Sequence, residues 1–320
     1  MGTTLAGHAI VFKDELAGRR VEIILNSGSG KLDKQALATT IGRFFAERQI
    51  DARIHVTQNG CELVAASEQA AATDAGIVVA GGGDGTIATV AHQLVASDKV
   101  LGILPLGTFN YFAKNLGLPL DVGEALDVIA SGRSTSVDVG DVNDHLFLNN
   151  ASIGLYPAVL GHRESTYRRF GRSQLAAYLS VVLVLLEPPA FVNLTVTADG
   201  QRLSRHTPLL FIGVNSHQLE SFGMPARECL AARQLTLFIT RPMGPLALGR
   251  LCLRALFRGL EGANAFEAVC ASEIAIGLRR KRVRVALDGE VRVIETPLRV
   301  RMMHDALRVV VPHPSHSIGA

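Results

Sequence analysis

The stretch Ile77-Val-Val-Ala-Gly-Gly-Gly-Asp-Gly-Thr86 joins a short apolar run to a dense group of glycines. A continuous apolar run of this length is typical of a strand buried on both faces of a sheet. Beyond the glycines, apolar residues recur at helical spacing from Ile87 to Val95. The stretch therefore predicts a strand, a glycine loop and a helix, which is the repeating unit of a parallel sheet.

Similar units surround this stretch in the first third of the chain. Strands are predicted at Val21–Leu25, Arg53–Val56 and Val100–Leu104, and helices over 37–45 and 61–72. After about Gly132, many short strands are separated by turn signals such as Asp199-Gly200, a pattern typical of an antiparallel sandwich. We therefore expect an α/β domain over residues 1–135 and a β-sandwich domain over 136–304. The tail, about 305–320, is a candidate to pack back on the first domain.

Composition fits a folded two-domain protein. The 320 residues are 48% hydrophobic and 19% charged, which permits a large core. None of the four cysteines forms a C-x-x-C pair, which argues against a disulfide scaffold or a zinc ribbon and fits a reducing, cytoplasmic compartment. Residues 1–20 lack a signal-like apolar region, and the longest apolar stretch, 175–186, is shorter than the ~20 residues of a spanning helix.

Three glycine-containing loops follow predicted strands: Asn26-Ser-Gly-Ser-Gly30, Gly81–Thr86 and Pro105-Leu-Gly-Thr108. Loops after parallel strands share the carboxyl edge of the sheet, where ligands bind. Glycine lets the backbone approach a ligand, and N–H groups at a helix N-terminus attract anions. Further hydroxyl donors are Ser29, Thr86 and Thr108. The loops predict a polyphosphate cradle. For the Asn26 loop, a plain tight turn is an equally good interpretation.

Other nucleotide and hydrolase motifs fit poorly. The chain has no G-x-x-x-x-G-K-[ST] loop and no G-x-S-x-G elbow. The pattern Gly83-x-Gly85-x-x-Ala88 matches a dinucleotide fingerprint. However, it follows the third predicted strand, and no acidic residue ends the next strand at the expected distance.

Several motifs in order resemble the diacylglycerol kinase catalytic family, which includes bacterial lipid kinases and sphingosine and ceramide kinases. Gly82–Thr86 and the Asn26 loop resemble its phosphate loops, and Pro105–Asn110 resembles the next conserved loop. Phe147–Gly154 and Leu287-Asp-Gly-Glu290 resemble later motifs. These pieces span residues 21–290. Gly82–Thr86 alone would also fit NAD kinases, which share this type of α/β domain.

The resemblance implies that the first domain binds ATP with Mg²⁺ and that the second binds a lipid. The implied nucleotide-binding residues are Asn26, Ser27, Gly28, Ser29, Gly30, Thr57, Gly82, Gly83, Asp84, Gly85, Thr86, Ile87, Ala88 and Thr108. Asp84 is implied to help hold the Mg²⁺ bound to ATP. Asp288 and Glu290 are implied candidates to accept the proton of the substrate hydroxyl. From pattern alone, Asp288-Gly289 predicts a hairpin turn, and both roles are compatible.

Two positions depart from the family pattern. Tyr111 stands where the family commonly has Asp. Ala232 and Arg233 stand where many bacterial members have an Asp-Gly whose Asp helps to bind a structural Mg²⁺. Since Ala232 offers no oxygen ligand and Arg233 would repel a cation, we expect no ordered divalent metal at Leu230–Leu235.

Positive charge is concentrated at the end of the chain. Residues 241–320 carry 13 Lys and Arg against 7 Asp and Glu, whereas the remaining 240 residues carry 19 against 22. Basic clusters lie in a predicted helix over 245–260, at 163–172 and at Arg279–Arg282. They favour peripheral contact with an anionic membrane, at its inner face. The alternative for each cluster is a solvated basic face.

The sequence as a whole predicts an ATP- and Mg²⁺-dependent lipid kinase that phosphorylates a hydroxyl of a diacylglycerol-like or sphingoid-like lipid. The alternatives are an NAD kinase-like enzyme with a soluble substrate and a catalytically inactive nucleotide or lipid sensor. No nucleic-acid partner is expected. The identity of the lipid and the oligomeric state, a homodimer included, stay open.

Overall fold

A computed structural model of the chain describes residues 10–11, 20–28, 34–158, 160, 191–215, 227–241, 243–244, 247, 250–251, 254 and 265–313. The chain divides into two compact units. The first comprises Met1–Asp138 and His304–Ala320, and the second comprises Val139–Met303. Each unit has its own hydrophobic core.

The first unit is built on a parallel sheet. Its strands are β1 (Ile10–Val11), β2 (Val21–Asn26), β3 (Ala52–Thr57), β4 (Ile77–Gly82) and β5 (Val100–Pro105), with the first part of β6 (Arg133–Val142) and the last part of β17 (Leu298–Val311). Its helices are α1 (Lys34–Glu47), α2 (Gly60–Ala72), α3 (Asp84–Leu94), α4 (Tyr111–Asn115) and α5 (Val122–Ser131). The strand order is β17-β5-β4-β2-β3, and neighbouring strands run parallel.

Helices cover both faces of this sheet. Apolar residues of α1 and α5, such as Ile41 and Ile129, share a buried cluster with Ile23 and Val79 of the sheet. Helices α2 and α3 pack against each other and against the strands. Coverage on both faces explains why β4 and β5 are apolar without alternation. The α/β domain predicted from the first third of the sequence is thereby confirmed.

The second unit consists of two antiparallel sheets. Its strands are β7 (His145–Phe147), β8 (Asn150–Gly154), β9 (Val192–Ala198), β10 (Gln201–Thr207), β11 (Leu209–Gly213), β12 (Leu235–Thr240), β13 (Phe266–Ala271), β14 (Glu273–Leu278), β15 (Arg282–Leu287) and β16 (Glu290–Glu295). One sheet has the order β10-β9-β14-β17, and the other has β13-β12-β11-β8-β15-β16. Val196 and Ile276 of the first sheet share a core with Leu210 and Leu237 of the second. The predicted antiparallel domain is confirmed.

One detail of the second half differs from the many short strands that the sequence predicts, because β17 is a single strand of 14 residues over Leu298–Val311. Asp305 lies within β17 at φ 52°, so one residue outside the extended conformation does not end the strand. Most of the predicted helix 245–260 lies outside the described residues, as do the basic cluster 163–172 and the apolar stretch 175–186. Among the described residues, no helix has the length and apolar composition that a membrane span requires.

The cysteine spacing did not predict a disulfide, but two of the four cysteines form one. A disulfide joins Cys229, in the short helix Arg227–Ala231, to Cys270 of β13. Cys61 is free and exposed. The two bonded cysteines are 41 residues apart in sequence, and sequence spacing alone cannot reveal which distant cysteines meet.

A buried carboxylate lies inside the parallel sheet. Glu22 of β2 is fully buried, and its Oε2 lies 2.6 Å from Nε2 of His55 on β3. No described residue donates a hydrogen bond to Glu22 Oε1. His55 is thus the partner that offsets the burial of this carboxylate, since an unpaired buried charge is strongly destabilising.

We predict that His55→Leu lowers the free energy of unfolding by about 3–5 kcal/mol, because it leaves the Glu22 carboxylate buried without a partner. The double variant Glu22→Leu/His55→Leu should recover most of this loss, since apolar replacement of a buried pair is often neutral or stabilising. Urea unfolding of both variants measures the effect. Equal stability of wild type and His55→Leu would contradict the prediction.

Candidate functional site

Four strands of the first unit end side by side at the carboxyl edge of the parallel sheet. Asn26, the last residue of β2, pairs in register with Thr57, the last residue of β3. Gly82 at the end of β4 pairs in register with Pro105 at the end of β5. Because β2 also pairs with β4, the three glycine loops lie next to one another at one edge.

The Asn26 side chain connects the first loop to the second. Its Nδ2 donates to the Thr86 hydroxyl at 2.9 Å, and its Oδ1 accepts from the Gly28 backbone N–H at 2.9 Å. The Ser27 N–H donates to the carbonyl of Thr57 at 2.9 Å, and the Thr57 side chain is buried. The two predicted residues Ser29 and Gly30 lie outside the described residues.

The glycines of the second and third loops are required by space. A Cβ on Gly82 would lie 2.4 Å from the Thr86 hydroxyl oxygen, and a Cβ on Gly107 would lie 2.5 Å from the Cα of Gly83. None of these glycines has a positive φ. Close packing therefore explains Gly82 and Gly107, and conformational freedom does not. A Cβ on Gly83 would be better tolerated, with Gly107 Cα at 3.3 Å.

Helix α3 begins within the second loop. Gly83 is its N-cap residue and provides no side-chain cap. The first N–H groups of a helix have no intrahelical carbonyl partner and carry partial positive charge. Gly85 and Ala88 are half-buried, whereas Ile87 is fully buried, so the Ile87 side chain belongs to the core. The backbone at the start of α3 is therefore suited to accept an anion.

The Asp84 side chain connects the second loop to the third. Its Oδ1 accepts a hydrogen bond from the Phe112 N–H in the first turn of α4 at 3.1 Å. No described residue donates to Asp84 Oδ2. Asn110, the N-cap residue of α4, is buried in the left-handed conformation and has no side-chain cap bond to the helix. Asp84 thus provides the cap for α4 from another loop, a contact that no local sequence signal could have revealed.

Asn110 holds the third loop in shape. Its Oδ1 accepts from the Gly107 N–H at 3.0 Å, and its Nδ2 donates to the carbonyls of Gly107 and Pro105 at 3.0 and 3.3 Å. Thr108 is exposed, and the rings of Phe109 and Tyr111 stack with centroids 5.4 Å apart. The local sequence predicts Asn110 only as a loop residue after Gly-Thr-Phe, and its three hydrogen bonds within the loop are not evident from that pattern.

In the second unit, Asp288 fills a two-residue turn between β15 and β16. It has φ 48°, and Gly289 has φ 90°, as a tight hairpin turn requires. The Asp288 carboxylate also accepts three backbone hydrogen bonds, from Leu148 at 2.7 Å, Asn149 at 2.7 Å and Asn150 at 3.0 Å. The carboxylate is therefore fixed by the backbone that leads into β8, which pattern analysis of the turn could not predict.

Glu290 is held less firmly than Asp288. Its side chain is 57% exposed, and Oε2 lies 3.9 Å from the guanidinium of Arg292. Exposed pairs of this kind contribute little to stability. The two candidate carboxylates thus differ in how well the protein positions them.

The stretch Leu230–Leu235 ends a short helix. Arg233 has φ 55°, a conformation that favours glycine. Among the described residues, no three His, Cys, Asp or Glu side chains are grouped so that they could hold a metal ion. Absence of a metal from this stretch stays a prediction.

Part of the chain is similar to a known family of catalytic domains. Residues 20–142 match the model of the diacylglycerol kinase catalytic domain. A diacylglycerol kinase of Staphylococcus carnosus is 29% identical over 201 residues, which are 62% of this chain and 65% of that protein. A diacylglycerol kinase of Bacillus subtilis is 34% identical over 140 residues, 42% of this chain and 46% of that protein. The chain thus spans less than two thirds of either relative.

Similarity of fold extends further than similarity of sequence. A solved structure described as a diacylglycerol kinase from Bacillus anthracis str. Sterne superposes with a TM-score of 0.70 at 23% identity. The superposition covers 93% of this chain and 98% of that one. The site and the fold define a chain with an α/β domain, in which three glycine-containing loops share one sheet edge, and an antiparallel domain. Residues 20–142 of the chain belong to the diacylglycerol kinase catalytic-domain family.

We predict that Gly83→Ala weakens ATP binding about tenfold or more, the loss of one charge-assisted hydrogen bond to phosphate, while the fold is retained. Gly82→Ala should instead reduce stability, because its Cβ would clash with Thr86. Gly42→Ala in α1, where a Cβ meets only an ordinary contact at 3.7 Å, is the control. Calorimetric titration with ATP measures the affinities, and unchanged affinity in folded Gly83→Ala would rule out the phosphate cradle.

We predict that Asp288→Asn lowers the free energy of unfolding by about 1–3 kcal/mol, because the new NH₂ group faces a backbone donor and leaves it unsatisfied. This revises the expectation from pattern alone, in which Asn-Gly would replace Asp-Gly without cost. Asp144→Asn is the matched control, since Asp144 lies in the β6–β7 turn with its side chain 96% exposed. Denaturant unfolding compares the two, and equal stability of both variants would contradict the prediction.

Proposed function

We propose that the protein is an ATP-dependent lipid kinase that transfers the γ-phosphoryl group to a hydroxyl of a diacylglycerol-like or sphingoid-like lipid. The observation that carries the proposal is the meeting of three glycine loops at one sheet edge, connected through Asn26–Thr86 and Asp84–Phe112. Membership of residues 20–142 in a kinase catalytic-domain family supports it, as do the names of the relatives.

In this proposal, ATP lies against the loop edge. The start of α3 supplies backbone N–H groups to the phosphates, and Gly83 leaves the backbone accessible. Asn26 and Thr86 hold the first two loops in a fixed relation, so little reorganisation is needed when ATP binds. The residues assigned to the nucleotide are Asn26, Ser27, Gly28, Thr57, Gly82, Gly83, Asp84, Gly85, Thr86, Ile87, Ala88 and Thr108, together with Ser29 and Gly30. For Ile87, the contact is limited to the backbone.

The residues at the loop edge fit a phosphate-bound Mg²⁺. Mg²⁺ is usually bound by one or two carboxylates and by substrate phosphates, and it retains several waters. Asp84 is a carboxylate within the second loop whose Oδ1 is used by Phe112. Asp84 would therefore hold the ion through its other oxygen, directly or through water. Mg²⁺ bound there would neutralise negative charge on the phosphates.

The proposed acceptor of the substrate proton is Asp288, with Glu290 as the second candidate. Phosphoryl transfer depends on positioning more than on covalent chemistry. Three backbone donors fix the Asp288 carboxylate, whereas Glu290 is exposed. As the lipid oxygen bonds to the γ-phosphorus and ADP leaves, the hydroxyl proton passes to the carboxylate. A lipid substrate also implies peripheral contact with an anionic membrane at its inner face.

Purified protein incubated with labelled ATP, Mg²⁺ and a total lipid extract tests the proposal. A labelled lipid phosphate on chromatography is the expected result. Labelled NADP from a parallel incubation with NAD would identify the soluble-substrate alternative, and ATP binding without any product would identify a sensor. Asp288→Asn and Glu290→Gln, assayed well below their melting temperatures, assign the proton acceptor, whose loss should lower the rate by about 10²–10⁴.

We predict that Asp84→Asn retains the fold but weakens the dependence of ATP binding on Mg²⁺. Asn keeps an oxygen that accepts from Phe112 and so preserves the cap of α4, but it loses the negative charge that attracts the ion. Asp121→Asn at the N-cap of α5, where the side chain accepts from Gly123 and Glu124, is the matched control. Titration of ATP with and without Mg²⁺ checks the outcome, and an unaltered Mg²⁺ effect would remove Asp84 from the ion's ligands.

A further inference from the structure

The outer face of the four-stranded sheet β10-β9-β14-β17 carries a shallow groove of about 840 Å³. Alternate residues of these strands, such as Val196 and Ile276, face the core of the second unit. The residues between them face outwards, because successive side chains of a strand point to opposite sides. Those in the middle of the groove are small: Thr195, Thr197, Ser204, Ala275 and Gly277. Their size makes the face concave.

Arginines stand at the margins of this groove. One row across the sheet runs from Arg202 to Thr197, then Ala275, then Arg299, as the strand register gives directly. With strands ~4.8 Å apart, the backbones of Arg202 and Arg299 are separated by about 14 Å. Arg279, which follows β14, lines one end. The small residues Thr197 and Ala275 of this row are thus bordered by an arginine at each end.

Five basic residues on this face form no ion pair with an acidic side chain of the described residues. Arg279 begins an exposed turn that continues with Arg280 and Lys281. Within the described part of the chain, no acidic side chain forms an ion pair with Arg202, Arg279, Arg280, Lys281 or Arg299. We call these five residues and the groove between them the basic groove. The same face also carries Glu273, which is paired in register with Arg301.

Other arginines on or beside this face, including Arg205 of the groove lining, are paired with acids. Arg205 of β10 donates two hydrogen bonds to the Glu267 carboxylate, at 2.9 and 3.1 Å, and the guanidinium lowers the pKa of Glu267 below its usual value. Arg282 lies 3.2 Å from Glu295, and Arg301 lies 3.1 Å from Asp141. The basic groove thus keeps its positive charge, whereas these three arginines are each paired with an acid.

We propose that the basic groove is the surface through which the protein contacts the phosphate-bearing headgroups of an anionic phospholipid bilayer. Exposed Arg and Lys side chains are attracted to the negative potential of such a surface, and a concave centre of small residues admits headgroups between the arginines. The inference builds on the proposed lipid substrate, because an enzyme that phosphorylates a membrane lipid must reach the bilayer. It assigns this contact to residues separate from the loops that bind nucleotide.

Sedimentation with vesicles of phosphatidylcholine, with and without phosphatidylglycerol, tests the proposal without turnover. The wild-type protein should bind the anionic vesicles, and binding should weaken as salt shortens the Debye length from about 10 Å at 0.1 M to about 3 Å at 1 M. Each basic residue at an anionic surface contributes about a fivefold gain in partitioning. The triple variant Arg202→Gln/Arg279→Gln/Arg299→Gln should therefore bind about 100-fold more weakly.

The matched control removes the same charge elsewhere. Arg43→Gln/Arg53→Gln/Arg284→Gln alters three exposed arginines outside the groove and should bind nearly as wild type. The variant Arg202→Lys/Arg279→Lys/Arg299→Lys should bind nearly as wild type, because it keeps the positive charge of the groove. Equal binding by the glutamine variant and wild type, equal losses in both glutamine variants, or no binding of wild type to anionic vesicles would overturn the proposal.

Two further measurements separate this inference from neighbouring ones. Displacement of the protein from vesicles by millimolar inorganic phosphate, at constant ionic strength, would indicate a site for a free phosphate and would overturn the bilayer assignment. Kinase activity on diacylglycerol in neutral detergent micelles should be the same in the groove variant and wild type. If no lipid is phosphorylated but anionic vesicles are bound through the groove, the proposed function fails and the surface assignment stands.

Discussion

The close approach of two backbones at the carboxyl edge of the parallel sheet constrains the rest of the first unit. Gly83 at the start of α3 and Gly107 after β5 are so near that a Cβ on Gly107 would lie 2.5 Å from the Cα of Gly83. This proximity lets Asp84 reach the first turn of α4 and lets Asn26 reach Thr86. The loops consequently form one hydrogen-bonded edge, because each is fixed by a side chain from another.

The same kind of side-chain-anchored turn occurs at three places in the described part of the second unit. Asn143, Asp199 and Asp288 are each the first residue of a two-residue turn, at φ 47°, 43° and 48°. Each side chain reaches across to backbone N–H groups of another strand or loop: Arg299 for Asn143, Ser272 and Glu273 for Asp199, and Leu148 to Asn150 for Asp288. Asn and Asp suit both tasks, since they tolerate a positive φ and accept hydrogen bonds. The turns thereby connect strands that are distant in sequence.

Anchoring by three backbone donors gives Asp288 a structural role that does not compete with the proposed chemical one. A carboxylate that receives a proton in phosphoryl transfer must be held in place, and a tight turn bonded to a neighbouring loop holds it well. The same reasoning applies to Asp84, which caps α4 with one oxygen. Substitution by Asn removes the charge at both positions. It is expected to lower stability at Asp288 but to keep the cap of α4 at Asp84, so the structural and chemical roles can be measured separately.

Local patterns in the sequence determined the kind of fold and the place of the loops. Continuous apolar strands such as β4 require cover on both faces, and a glycine loop after each parallel strand must lie at the carboxyl edge, whatever the rest of the chain does. The Asp-Gly pairs determined hairpin turns in the same way, since a tight turn demands a positive φ at both positions. These features depend only on neighbours within one element.

The tertiary structure alone decided the contacts between distant segments. The bond of Asp288 to Leu148 spans 140 residues, that of Asp84 to Phe112 spans 28, and the Cys229–Cys270 disulfide spans 41. The basic groove likewise exists because strand register places Arg202 and Arg299 at opposite ends of one row. Periodicity along a chain predicts which face of an element a residue occupies. It does not predict which residue of another strand lies opposite. That choice is made by the register and order of the strands when the two sheets bury their shared core.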